Sequence, residues 1–167
     1  MATSKLEQSL VDGIHKQLND LQGQWKGTTK TWFDPSVLAD ESSAEGNIVP
    51  LFDGRFVLHE YRSSLQGQPF EGRMELGYHM KENKFQMSWM DTFHMGTGIM
   101  LCEGEASNGN FSVMGNYSTG GDDPQTWGWR TTIEKIDDNS ITIRAYNITP
   151  EGEESLATET NYQRVKS

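Results

Sequence analysis

At 167 residues, with 34% hydrophobic residues and 17 glycines, the chain is long enough for one buried core and short for two, and its composition suits a turn-rich sheet protein better than a helical bundle. A formal net charge of -10, with no basic stripe to offset it, argues against nucleic acid and against anionic membrane as partners. Aromatic residues at 10%, spread along the whole length, argue against disorder.

The N-terminal residues Met1-Ala2-Thr3-Ser4-Lys5-Leu6-Glu7 lack the apolar core of a signal peptide, and no run approaches membrane-spanning length. With Cys102 the only cysteine, no intrachain disulfide can form. A reducing, cytoplasmic location is the expectation.

The first predicted element is a helix. Ser4 and Glu7 have capping-box spacing, and Leu6, Leu10, Ile14, Leu18 and Leu21 recur along one helical face. Gly13 weakens this helix but leaves its stripe intact. A short amphipathic helix over residues 1–21 is expected to lie across one end of a sheet domain over 22–167.

From Gln24 onward the apolar period is two. Ten strands are predicted: Gln24 to Phe33, Ala44 to Leu51, Arg55 to Ser63, Pro69 to Tyr78, Lys84 to Thr92, Thr97 to Glu105, Asn110 to Tyr117, Thr126 to Ile136, Ser140 to Ile148 and Ser155 to Val165. Turn signals such as Phe52-Asp53-Gly54, Asn108-Gly109 and Asp137-Asp138-Asn139 separate them. Short links make hairpins, and a meander of about ten strands is best closed into one antiparallel up-and-down β-barrel, because closure removes exposed edges. A barrel of that size leaves room for a ligand cavity. The segment from Asp34 to Ser43 is expected to be a loop forming part of a lid.

Gly23-Gln24-Trp25 resembles the Gly-x-Trp opening of calycin (lipocalin-like) barrels. That resemblance implies that Trp25 plugs the closed end and that Arg164, in Tyr162-Gln163-Arg164, stacks on it. The wider pattern is similar to the bacterial family known as domain of unknown function 1579. It is carried in order by Trp32-Phe33, Gly54-Arg55-Phe56, Pro69-Phe70-Glu71-Gly72, Gly77-Tyr78, Trp89-Met90-Asp91, Glu103-Gly104, Asp123-Pro124 and Glu159-Thr160-Asn161-Tyr162-Gln163-Arg164. The family implies a lipocalin-like barrel and no established activity. Phe93-His94-Met95 and the leading helix are less typical of it.

Seven of the eight methionines fall between Met74 and Met114. Flexible thioethers suit an adaptable cavity, and equally suit gap-filling in a core. Strict alternation puts Phe85, Met87, Trp89 and Asp91 on one face, Phe70, Met74, Leu76 and Tyr78 on another, and Trp127, Trp129, Thr131 and Ile133 on a third. If these faces point inward they form an apolar wall with polar tips, the usual make-up of a small-molecule site. Asp91 stands out, because a carboxylate among Met87 and Trp89 needs a partner. Arg55, Arg130, Arg144 and the histidines are the candidates. Arg55, Val57, His59 and Tyr61 alternate with Phe56, Leu58 and Glu60, and alternation alone does not say which set is interior.

Candidate ligand-binding residues are therefore His59, Tyr61, Met74, Tyr78, Met87, Trp89, Asp91, Met100 and Trp129. No metal motif is present: His15, His59, His79 and His94 are unpaired at ligand spacing. Haem needs one axial ligand, for which His59, His79 or His94 could serve, although haem-binding calycins of the nitrobindin type place theirs late in the chain and no histidine follows His94. Cys102 lies in the apolar run Ile99-Met100-Leu101-Cys102 and reads as a structural thiol. The leading expectation is a barrel holding a small hydrophobic molecule, with a homodimer as the assembly considered. The alternatives are an enzyme, an isomerase or hydrolase pairing Asp91 or Glu60 with His59 or His94; a haem-binding barrel; and an interaction scaffold without a ligand.

Overall fold

The computed structural model describes residues 3–167; the first two positions of the N-terminal segment read above lie outside them. The leading helical stretch is two helices, α1 (Lys5–Asp12) and α2 (Ile14–Asn19). Ser4 and Glu7 form the reciprocal capping box. Gly13 does more than weaken the helix: it adopts an extended conformation and breaks it. The Ser9 hydroxyl accepts the His15 N–H at 3.3 Å, so an otherwise orphan donor of the second helix is satisfied across the break. The apolar stripe survives, with Leu18 and Leu21 buried against the barrel end. Asn19 Nδ2 donates to the Gly54 carbonyl at 2.9 Å and ties α2 to a barrel turn.

Ten antiparallel strands follow: β1 (Gly23–Asp34), β2 (Val37–Leu51), β3 (Phe56–Leu65), β4 (Gln68–His79), β5 (Lys84–Asp91), β6 (Met100–Glu105), β7 (Phe111–Ser118), β8 (Thr126–Asp137), β9 (Ser140–Ile148) and β10 (Glu154–Arg164). Each pairs with the next, and β1 pairs with β10, so the meander closes into a barrel. The closing register runs from Trp25 opposite Arg164 to Thr31 opposite Thr158. No helix among the described residues is long and apolar enough to cross a membrane.

Two segments differ from expectation. Asp34 to Ser43 is not a loop: Asp34 pairs with Val37, and the chain reverses through Pro35 and Ser36, with Ser36 in the left-handed region (φ 66). Thr97 to Ile99, expected as strand, belongs instead to a segment over 92–99 joining β5 to β6. The Asp91 carboxylate, which accepts the Met95 N–H and meets the His94 ring, holds that segment away from the ladder, as described below.

The barrel has a closed end, under the helices, and an open end. Inward positions on β3 are Val57, His59 and Tyr61, while Glu60 is exposed on the outside. Inward side chains near the closed end are large and leave almost no exposed surface: Trp25, Tyr162, Phe85 and Leu76 are each about 1% exposed. The Arg164 guanidinium lies 4.3 Å over the Trp25 ring. Its nitrogens donate to the carbonyls of Asp20, Gln22 and Asp138, and the Trp25 indole N–H donates to the Leu21 carbonyl at 2.9 Å. This end is sealed by packing and by satisfied polar groups.

Candidate ligand-binding site

The interior is filled from the closed end upward, and the enclosed space lies at the open end. There a cavity of about 530 Å³ is bounded by the ends of β1, β5, β6, β7, β8, β9 and β10 and by the segment 92–99. That volume falls within the range of about 300–1,000 Å³ usual for small-molecule pockets. A larger concavity, about 890 Å³, lies on the outer surface across β1–β5. Its rim is made of exposed, mutually paired charges such as Lys26–Glu45 and Arg62–Glu71, which leaves it little to offer an apolar molecule.

Two indoles form one wall of the open-end cavity. Trp89 and Trp129 stack with centroids 5.2 Å apart and planes 13° from parallel. Inward alternation on β5 and β8 brings them there, and burial of 97% and 93% of their surfaces holds them in place. The Trp89 indole N–H donates to the Tyr61 phenol oxygen at 2.7 Å. The phenol fits because the β4 residue opposite it is Gly72: a methyl there would fall on the Tyr61 oxygen and 2.8 Å from Asp91 Cβ. Burial, and next the nearby Asp91 charge, push the Tyr61 phenol above its ordinary pKa, so it stays neutral.

Asp91, the last residue of β5, is the pivot of the site. Its side chain has no exposed surface. One oxygen accepts the Met95 N–H at 2.8 Å, and the other lies 2.5 Å from His94 Nδ1. His94 therefore answers the demand of a buried carboxylate. Arg55 instead reaches the Phe52 carbonyl in a closed-end turn, while Arg130 pairs with Glu154, and Arg144 with Glu134 and Glu159. The His94 ring packs 5.6 Å from Trp89, 5.7 Å from Trp129 and 4.8 Å from Phe93. Because a carboxylate can only accept, Nδ1 carries the proton in this bond, and in the neutral imidazole the other ring nitrogen, Nε2, is the acceptor.

Beside Trp129, Tyr117 donates its hydroxyl to Asn147 Oδ1 at 2.6 Å. Asn147 is register-paired with Trp129, so both side chains rise on the inner face.

Of the nine candidate residues, Trp89, Met100 and Trp129 line the cavity directly. Asp91 and Tyr61 stand behind them, holding His94 and Trp89. Met74 and Met87 are buried in the filled core, at 8% and 3% exposure. Tyr78 sits at the opposite end, packed on His15 and donating to Asn83. His59 is fully buried below the cavity; its Nε2 lies 3.2 Å from the Tyr162 hydroxyl and its Nδ1 has no partner among the described residues. Burial drives its imidazole pKa down to about 3. Glu60 and His59 are separated by the barrel wall, so that pair does not form, whereas Asp91 and His94 do meet. Of the three histidines considered for haem, only His94 lines the cavity; His79 accepts the Glu82 N–H at the closed end. No group of three or more metal-binding side chains occurs among the described residues. Cys102 is buried, and burial raises its thiol to about 11.

Tyr117, Asn147 and Ala157, also at the cavity, escaped the sequence reading. A usable signal existed for one of them: Asn147 continues the inward series Ile141, Ile143, Ala145, and a polar residue ending an apolar alternation marks the mouth of a barrel.

This architecture defines a lipocalin-like, closed ten-stranded barrel with a cavity at its open end. The chain belongs to the family described as proteins of unknown function DUF1579, whose model matches residues 12–164. Similar solved structures share the fold at low identity. The S-type phycobiliprotein lyase CPES from Guillardia theta has a TM-score of 0.58 at 13% identity, covering 92% of this chain and 93% of that one. Rv2717c from M. tuberculosis has a TM-score of 0.60 at 12% identity, covering 92% and 98%. No curated protein sequence matches the chain.

Proposed function

We propose that this protein binds a small, planar, largely apolar molecule in the open-end cavity, against the wall made by Trp89 and Trp129. The observation that carries this reading is the cavity itself: about 530 Å³ of space beside two stacked indoles, in a barrel otherwise filled by its own side chains. Flat indole faces favour flat guests, because offset stacking adds to simple area burial. The phycobiliprotein lyase among its structural relatives supports the fold and is compatible with such a role.

Native mass spectrometry against flavins, coumarins, haem, bilins and fatty acids tests the proposal. Planar compounds are expected to be retained, one per chain, and to be lost in Ala157→Trp, which puts an indole into the cavity. Retention of none by the native protein, or equal retention by the variant, contradicts it.

A second reading has its own observation. Asp91 and His94 form a carboxylate–imidazole dyad at the cavity, which His94 lines, an arrangement suited to moving a proton to or from a bound molecule. Turnover of an isomerisable or hydrolysable guest that falls at least about 100-fold in His94→Gln is expected on this reading; turnover unchanged by that substitution removes it.

A further inference from the structure

The two polar groups at the cavity have opposite and complementary hydrogen-bonding roles. His94 Nδ1 is committed to Asp91 Oδ2, so when the imidazole is neutral its Nε2 presents a lone pair. Asn147 Oδ1 is committed to the Tyr117 hydroxyl, so its Nδ2 presents N–H donors. Both flank the same indole: the His94 ring is 5.7 Å from that of Trp129, and Asn147 is the register partner of Trp129. Each side chain is held by a partner behind it: Asn147 cannot flip without losing the Tyr117 bond, and Nε2 of His94 accepts as long as the imidazole is neutral.

Resting on the ligand-binding reading above, we infer that the ligand class is a planar conjugated ring with a hydrogen-bond donor, O–H or N–H, on one edge and a carbonyl-type acceptor on another. The donor meets His94 Nε2 and the acceptor meets Asn147 Nδ2. A guest of the same shape without the donor buries the imidazole lone pair unpaired, which disfavours it. Asp91 is a positioning residue in this scheme. An amide at that position donates to Nδ1, moves the ring proton to Nε2 and turns the cavity's acceptor into a donor.

The probes are umbelliferone, a coumarin with a phenolic donor and a lactone carbonyl, and its methyl ether herniarin, which lacks only the donor. Affinities by fluorescence titration are expected to favour umbelliferone about tenfold in the native protein. In Asp91→Asn the preference is expected to disappear or reverse, and in Asn147→Leu both probes weaken together. Equal binding of the two coumarins by the native protein overturns the donor–acceptor assignment and leaves the apolar-slot reading standing. Binding of neither overturns both. Should Asp91→Asn fail to fold, the comparison of the two probes on the native protein still decides the matter.

Discussion

The two ends of the barrel are made from the same strands and are held in opposite ways. At the closed end, Trp25, Tyr162 and Phe85 fill the lumen and Arg164 caps it, with the Trp25 indole and the Arg164 guanidinium both bonded to backbone carbonyls. At the open end, Trp89 and Trp129 pack on each other but stop short of filling the space, and Asp91 pins the segment that crosses it. Stability is concentrated where the lumen is full. The proposed recognition falls where packing stops and a few polar groups are fixed by partners behind them.

Substitutions at the two ends should separate these roles. Trp25→Ala should lower the unfolding free energy by about 3–5 kcal/mol, read from urea denaturation, because it opens a cavity in the packed end and strands the Arg164 cap. A loss at Trp25 no larger than at an open-end surface residue would break the comparison. Gly72→Ala should cost about 1–3 kcal/mol, since the added methyl displaces the Tyr61 phenol and disturbs Asp91. It should also weaken any cavity ligand, which Trp25→Ala should not do in the fraction that remains folded.

A pH titration probes the depth between the two ends. His59 is held neutral by burial, with its pKa near 3, whereas the unfolded chain takes up that proton near 6.5. The unfolded state therefore binds more protons between those values. His59's contribution is complete above about pH 6.5 and is lost as pH falls toward 3, with a slope approaching about 1.4 kcal/mol per pH unit. His59→Phe should flatten that limb; an unchanged acid limb would show that other groups control it. Smallest of all, Phe93→Ala, at a residue 45% exposed beside the cavity mouth, should change stability by no more than about 0.5 kcal/mol while measurably altering ligand affinity.

Much of this was legible in the residues. Alternation placed Phe85, Met87, Trp89 and Asp91 on one face, which the barrel turns inward, and Gly23-Gln24-Trp25 with Arg164 marked the seal. Asp91 could be singled out because charge at an inward position demands a partner, and His94, three residues on, is that partner. What alternation could not supply is height along the barrel. Met74, Tyr78 and Trp89 all face the interior, yet one is core, one lies by the helices and one borders the cavity. Depth depends on strand register and tilt, which are set by pairing between segments far apart in sequence. The hairpin at Pro35-Ser36 was missed for a different reason: neither residue is the Asn or Gly that usually announces a tight turn.

The indole N–H groups give each end its own reporter. In a heteronuclear NMR titration with umbelliferone, shifts should concentrate in the Trp89 and Trp129 indoles and the amides of 92–99, with the Trp25 indole, hydrogen-bonded to Leu21 at the sealed end, left unmoved. Shifts centred on Trp25 and the helices, or spread over the outer face of β1–β5, would contradict the placement of the binding site at the open end.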